Sequence, residues 1–349
     1  MRLLGAADNA ADVSVESQTN HTQTSGTPGG RPDATESRRR KRAPAAVRAL
    51  LHYGGSALAL ALLFRFLPGR EVLHALGKLP PALWIAVVAA YLATHLLGVA
   101  KWRLMVNTAG AGLNRLQAAR CYFAGLFGSL FLPSLIGGDL VRVTLAIRYG
   151  KASAGALLGS FVDRIVDFTA LVILATAGAL LVPGTLRPQS RRVFLLIGAA
   201  IIAGLAIFAV LITLIPFRRL SFRMRRRAVS LRRAGRSIVQ RPGAAIIALS
   251  ISLAAQLSFI SLSVVLADAC GLRVLFRAWL FAWPIAKLSA AIPVTQGGIG
   301  VREAALAGLL VPFGAPPALT VAAGLAWEAV AISGALIGGT FALCVRRRA

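Results

Sequence analysis

The chain has 349 residues, 57% of them hydrophobic, with a mean hydropathy of +0.71 and a formal net charge of +27. A soluble chain of this length covers its core with a more polar surface, so an ordinary globular domain is excluded. The apolar stretches mix Leu, Ala and Gly in runs near or beyond the ~20 residues that cross a bilayer, rather than in ~10-residue alternating strands. The expected fold class is therefore all-α and polytopic. The arginines gather at the ends of apolar runs, as the positive-inside rule and attraction to anionic headgroups require, so the partners expected are membrane lipids and not nucleic acid. Cys121, Cys270 and Cys344 lie far apart with no metal spacing and read as small buried hydrophobes. His21, His52, His74 and His95 form no cluster, and none is expected in a pocket. Neither a metal nor another cofactor is expected.

Residues 1–43 are rich in Ser, Thr, Asn, Asp and Gly without apolar periodicity, the composition of a disordered tail. The tail ends in Arg38-Arg-Arg-Lys-Arg42, read as a cytoplasmic anchor for a first helix at about 47–66. A short loop holding Arg70, Glu71, Lys78 and Pro80-Pro81 leads to a second helix, about 82–105, whose inner end is marked by Lys101, Trp102 and Arg103. The apolar run 116–136 ends in Pro133-Ser-Leu-Ile-Gly-Gly-Asp-Leu-Val-Arg142 and returns to basic residues, which describes a re-entrant hairpin. A helix at about 156–182 carries Asp163, Arg164 and Asp167. A helix at about 193–215 follows, then Pro216–Pro242 with ten arginines and no acid, a cytoplasmic loop. Leu220, Phe222, Val229 and Leu231 are its expected apolar side if it lies as an amphipathic helix on the inner leaflet. After a helix at about 244–266 comes a second broken element, about 276–314, and a last helix at about 317–343 carrying Glu328.

The second broken element contains Pro293-Val-Thr-Gln-Gly-Gly-Ile-Gly-Val-Arg-Glu303. Its proline, paired glycine and arginine repeat the register of 133–142. The summed reading is one integral domain, 44–349, with six spans and two hairpins, both termini cytoplasmic, in the cell membrane. Its halves, about 47–182 and 193–345, form an inverted-topology repeat, an arrangement that places a site at the midplane between two broken elements.

Outside the tail the acids are Glu71, Asp139, Asp163, Asp167, Asp268, Glu303 and Glu328. An intramembrane charge costs roughly 2.5–3.5 kcal/mol to insert, so such residues face a cavity and pair. Asp163 and Asp167 share a helix face and repel, with Arg142, Arg164 or Arg302 available to neutralise them. The Gly137-Gly138 and Gly297-Gly298 turns, with Gly300, offer backbone N–H groups beside a helix start, a place for a phosphate. Arg142 and Arg302 add fork-shaped donors, and Thr295 and Gln296 further hydrogen bonds. Pro133 and Pro293 break the helices. The competing reading of the same residues is that the ion pairs pin the hairpins together. No activated nucleophile stands out, so catalysis is not expected.

These residues also carry a resemblance. Phe131-Leu-Pro-Ser-Leu-Ile-Gly-Gly-Asp-Leu-Val-Arg142, Asp163-Arg164 and Ile292-Pro-Val-Thr-Gln-Gly-Gly-Ile-Gly-Val-Arg-Glu303 resemble the integral membrane domain of lysylphosphatidylglycerol synthases and its stand-alone, flippase-like relatives. The likeness spans about 47–345. It implies lipid translocation, with the matched residues as the headgroup path. It does not imply synthase activity, because the soluble domain that carries the synthesis in bifunctional members is outside the likeness. Partner enzymes of a lipid or glycan pathway are a further implication. The alternative function is that of a membrane enzyme, or an accessory scaffold, in lipid-linked glycan synthesis.

Overall fold

The structure is a computed structural model and describes residues 69–131, 135–182, 222–290 and 300–346. The described residues are helical, with no strand among them, and belong to the unit Pro44–Ala349. The expected helices at 47–66 and 193–215 and the tail lie outside the described residues.

Among the described residues ten α-helices follow in order: α1 Gly69–Gly77, α2 Pro81–Thr108, α3 Arg115–Gly128, α4 Leu135–Tyr149, α5 Ser153–Leu181, α6 Phe222–Val239, α7 Pro242–Ala269, α8 Phe276–Ser289, α9 Val301–Leu310 and α10 Pro317–Arg346. Four of them, α2, α5, α7 and α10, are long and apolar enough to cross a membrane. Local chemistry sets several ends. Prolines open α2 and α7 at positions where no backbone N–H is missed. Asn114 and Gln117 form a reciprocal capping box on α3. Gly271, with φ +87°, stands just beyond the end of α7, a conformation that disfavours any side chain.

The order long helix, short pair, long helix occurs twice, as α2, α3–α4, α5 and as α7, α8–α9, α10. Contacts between the two sets exchange. Helix α3 of the first set packs on α10 of the second, α8 of the second packs on α5 of the first, and α2 and α7 pack on each other. Small residues permit these approaches. A Cβ on Gly178 of α5 would lie 2.4 Å from the backbone of Phe281 in α8. Gly338 of α10 is held likewise against Phe123 of α3, at 2.6 Å. Those two glycines keep the 160-residue offset that separates Pro133 from Pro293. Helices α2 and α7 run antiparallel: Tyr91 meets Phe259, while Met105 shares an apolar cluster with Ala248.

Three expectations change. The loop before α2 contains α1, whose Val72 and Ala75 are buried with Cys270, Ala318 and Ala322. Helix α6 exists, but its inward side is Ala234 with Leu231 and Ile238, packed on Ala109 and Leu158. Val229 is exposed, because it sits off the line of residues three and four apart that runs through Leu231 and Ala234. Cys121 and Cys270 are buried as expected, but Cys344 is exposed near the end of α10.

Candidate functional site

Among the described residues, two clusters of acidic and basic side chains lie inside the bundle. The first joins α2, α4, α5 and α7. Lys101, 4% exposed, places Nζ 3.0 Å from Asp163 and 2.5 Å from Asp167, and Asp167 also accepts from Ser252 Oγ at 2.6 Å. Arg142 lies 3.0 Å from Asp139 and 3.5 Å from Asp163. Arg164 donates through Nε and Nη2 to the two oxygens of Asp139, a two-pronged fit. Three cations and three carboxylates balance, so their mutual attraction offsets part of the desolvation cost of burying them. Asp163 and Asp167 are neighbours on one helix face, and Arg142 reaches Asp163 as expected, but the cation shared by both aspartates is Lys101.

The second cluster joins α9 and α10. Arg302 Nη2 reaches Glu303 at 2.6 Å and Glu328 at 2.8 Å. Glu303 is fully buried and also accepts the Gly300 N–H at 2.7 Å. That carboxylate caps α9 as a resident anion.

Between the clusters opens a cavity of about 280 Å3. Lys101, Arg142, Arg164, Lys287 and Arg302 line it together with Asp139, Asp167 and Glu328. Aromatic side chains form much of the wall. Tyr91, Phe259 and Trp327 pack edge-on or tilted on one another, and Trp283 stands across from Trp327 at 6.0 Å. Lys287 Nζ sits 4.7 Å from the Trp283 ring centre and 5.0 Å from that of Phe259, and donates to Gln256 at 2.9 Å.

Of the residues singled out in the sequence, Asp139, Arg142, Asp163, Arg164 and Asp167 meet in the first cluster, and Arg302, Glu303 and Glu328 in the second. Arg302 engages Glu303 and Glu328 and neither of the aspartates. Pro133, Pro293, Thr295, Gln296, Gly297 and Gly298 lie outside the described residues. Gly137 and Gly138 fall within the first turn of α4 instead of a turn before it. Gly138 serves a close backbone crossing, since a Cβ there would lie 2.5 Å from the Gly125 carbonyl oxygen. The N–H expected to be open at Gly300 is taken by Glu303.

Lys101 was expected at the basic inner end of its helix and is instead buried among carboxylates. His95 lines the cavity, against the expectation that no histidine would. A signal for both was present: Tyr91, His95, Gly98 and Lys101 follow one another at three- and four-residue spacing, one face of α2. Ser252, Gln256 and Phe259 likewise follow one another at four- and three-residue spacing on one face of α7, whereas Lys287 is a lone cation in an apolar run and carried no such pattern.

The profile of the lysylphosphatidylglycerol synthase TM region matches residues 48–339. The chain belongs to that family. Membership together with the four apolar helices makes it a multi-pass membrane protein tied to lipid metabolism or translocation. No curated protein gives a significant match to the chain.

Proposed function

We propose that this member of the family moves a phosphate-bearing lipid, of phospholipid or polyprenyl-phosphate type, between the leaflets of the cell membrane. The observation that carries the reading is the cavity, where five basic side chains face three acidic ones amid four membrane-length helices. A lipid headgroup crossing the apolar interior needs a polar, charge-compensated path, since each unsolvated polar group costs several kcal/mol there. The aromatic wall adds amphipathic surface along that path.

The topology that goes with this function is an inverted repeat of six spans and two re-entrant hairpins, α3–α4 and α8–α9. The twice-repeated element order, the exchange of partners between the two sets and the antiparallel pairing of α2 with α7 support it. Arg142, Arg164 and Arg302 fasten the hairpins through carboxylates, and both termini lie in the cytoplasm with α6 on the inner leaflet. Partner enzymes of a lipid or glycan pathway fit a transporter that receives its substrate from one leaflet.

Liposomes holding the full chain are expected to move fluorescent phosphatidylglycerol or a polyprenyl phosphate between leaflets faster than protein-free liposomes. Transport of neither, with turnover of a lipid-linked sugar, would replace the transporter with a membrane enzyme.

A further inference from the structure

We infer that Lys287, with His95 and Gln256 beside it, is the subsite that binds the phosphate oxygens of the transported headgroup. The assignment deepens the transport reading and rests on it. The other cavity cations are already engaged. Lys101 and Arg142 each lie within 4 Å of two carboxylates, Arg164 forks onto Asp139, and Arg302 joins Glu303 to Glu328. A phosphate brought to any of them would stand beside a carboxylate bound to the same cation, and like charges at that range repel strongly away from bulk water.

Lys287 differs. Among the described residues it has no carboxylate within salt-bridge distance. Its one hydrogen bond to the described residues goes to a neutral amide oxygen, Gln256 Oε1, which uses one of the three ammonium N–H groups. The Trp283 and Phe259 faces hold the ammonium by cation–π attraction without neutralising it. Next to it on the wall is His95, 8% exposed, its ring 5.3 Å from that same Phe259 ring. His95 Nδ1 meets Tyr122 Oη at 3.2 Å, while Nε2 has no hydrogen-bond partner among the described residues. With the tyrosine hydroxyl donating to Nδ1, Nε2 carries the hydrogen, and a buried donor left without an acceptor is what a ligand oxygen satisfies.

One uncompensated positive charge and one neutral donor suit a singly charged phosphate group better than a doubly charged one. The lysine of the subsite has no counterpart in the first half. The turn of α3 corresponding to Lys287 holds Leu126 and Phe127, so the repeat is broken at the point where the anion binds.

The test measures binding of dioctanoyl phosphatidylglycerol, and separately of inorganic phosphate, to the full chain in uncharged detergent by tryptophan fluorescence. Lys287→Gln is expected to weaken lipid binding at least tenfold, Lys287→Arg less than threefold, and His95→Phe by an intermediate factor. Arg273→Gln, an exposed position, is expected to change nothing. Wild-type affinity in Lys287→Gln, or loss of binding in Arg302→Gln with Lys287→Gln unaffected, overturns the assignment. Inorganic phosphate binding as tightly as the lipid, and depending equally on Lys287, overturns the headgroup as its occupant. The liposome transport assay separates the two readings. Wild-type chain that binds lipid through Lys287 but moves none defeats transport alone. A Lys287→Gln chain that binds and transports as wild type defeats the subsite alone.

Discussion

Lys101→Met is the sharpest probe of what holds the bundle together. The methionine keeps the length of the side chain and removes its charge. Asp163, 1% exposed, and Asp167 then lose the ammonium that lies 3.0 and 2.5 Å from them. The first cluster passes from balanced charge to a net negative one. Breaking a buried pair by removing one partner costs about 3–5 kcal/mol, most of it the penalty of the charge left behind. At roughly 2 °C per kcal/mol for a large chain, the apparent Tm should fall by roughly 6–10 °C. Thermal unfolding of the detergent-purified chain, followed by intrinsic fluorescence, reads this directly. Adding Asp163→Asn restores the balance, because one cation and one carboxylate have then gone. The double variant should melt within about 2 °C of wild type, since a buried pair replaced whole is often close to neutral. A single variant as stable as wild type, or a double variant no better than the single, would refute the account of Lys101 as the keystone between α2 and α5.

Further expectations concern packing, a buried hydrogen bond and topology. Gly138→Ala should destabilise by about 1–3 kcal/mol in the same assay, because its Cβ meets the Gly125 carbonyl and backbone cannot move aside. Gly243→Ala, with nothing within 4 Å, should be neutral or stabilising by up to about 1 kcal/mol. Ser160→Ala removes the acceptor of the buried Trp102 Nε1 hydrogen bond at 2.9 Å and should cost about 1–3 kcal/mol, with Ser160→Thr costing less if the hydroxyl keeps its place. On a Cys344→Ala background, a membrane-impermeant thiol reagent applied to intact cells should label Arg273→Cys and not Ser230→Cys. Both positions are exposed and the native Cys121 and Cys270 are buried. Labelling in the reverse pattern would defeat the inverted topology.

Much of the fold was legible because a bilayer imposes simple arithmetic. The four described long helices coincide with expected spans to within a few residues at each end, since apolar length and flanking prolines or glycines are properties of contiguous sequence. The end of α7 at Gly271 and the capping box at Asn114 are equally local. The short helix α1 escaped notice because its charges resemble those of a loop, and its apolar side is only Val72, Ala75 and Leu76.

The site divides along the same line. Rarity alone marks an acid or arginine in an apolar run as a member of a polar cluster, and Asp139, Arg142, Asp163, Arg164, Asp167, Arg302, Glu303 and Glu328 were all visible for that reason. Their pairing was not. Arg302 belongs with Glu303 and Glu328, and Lys101 with the two aspartates of α5, because helices far apart in the chain meet side by side. An all-helical membrane chain, its intramembrane charges and the repeated register of Pro133 and Pro293 all follow from contiguous sequence. Packing in three dimensions settles which cavity cations are spent on carboxylates, and that Lys287 stands on aromatic faces with no carboxylate among the described residues. Charge balance is summed over neighbours in space, and the neighbours of Lys287 come from α7 and α8 together.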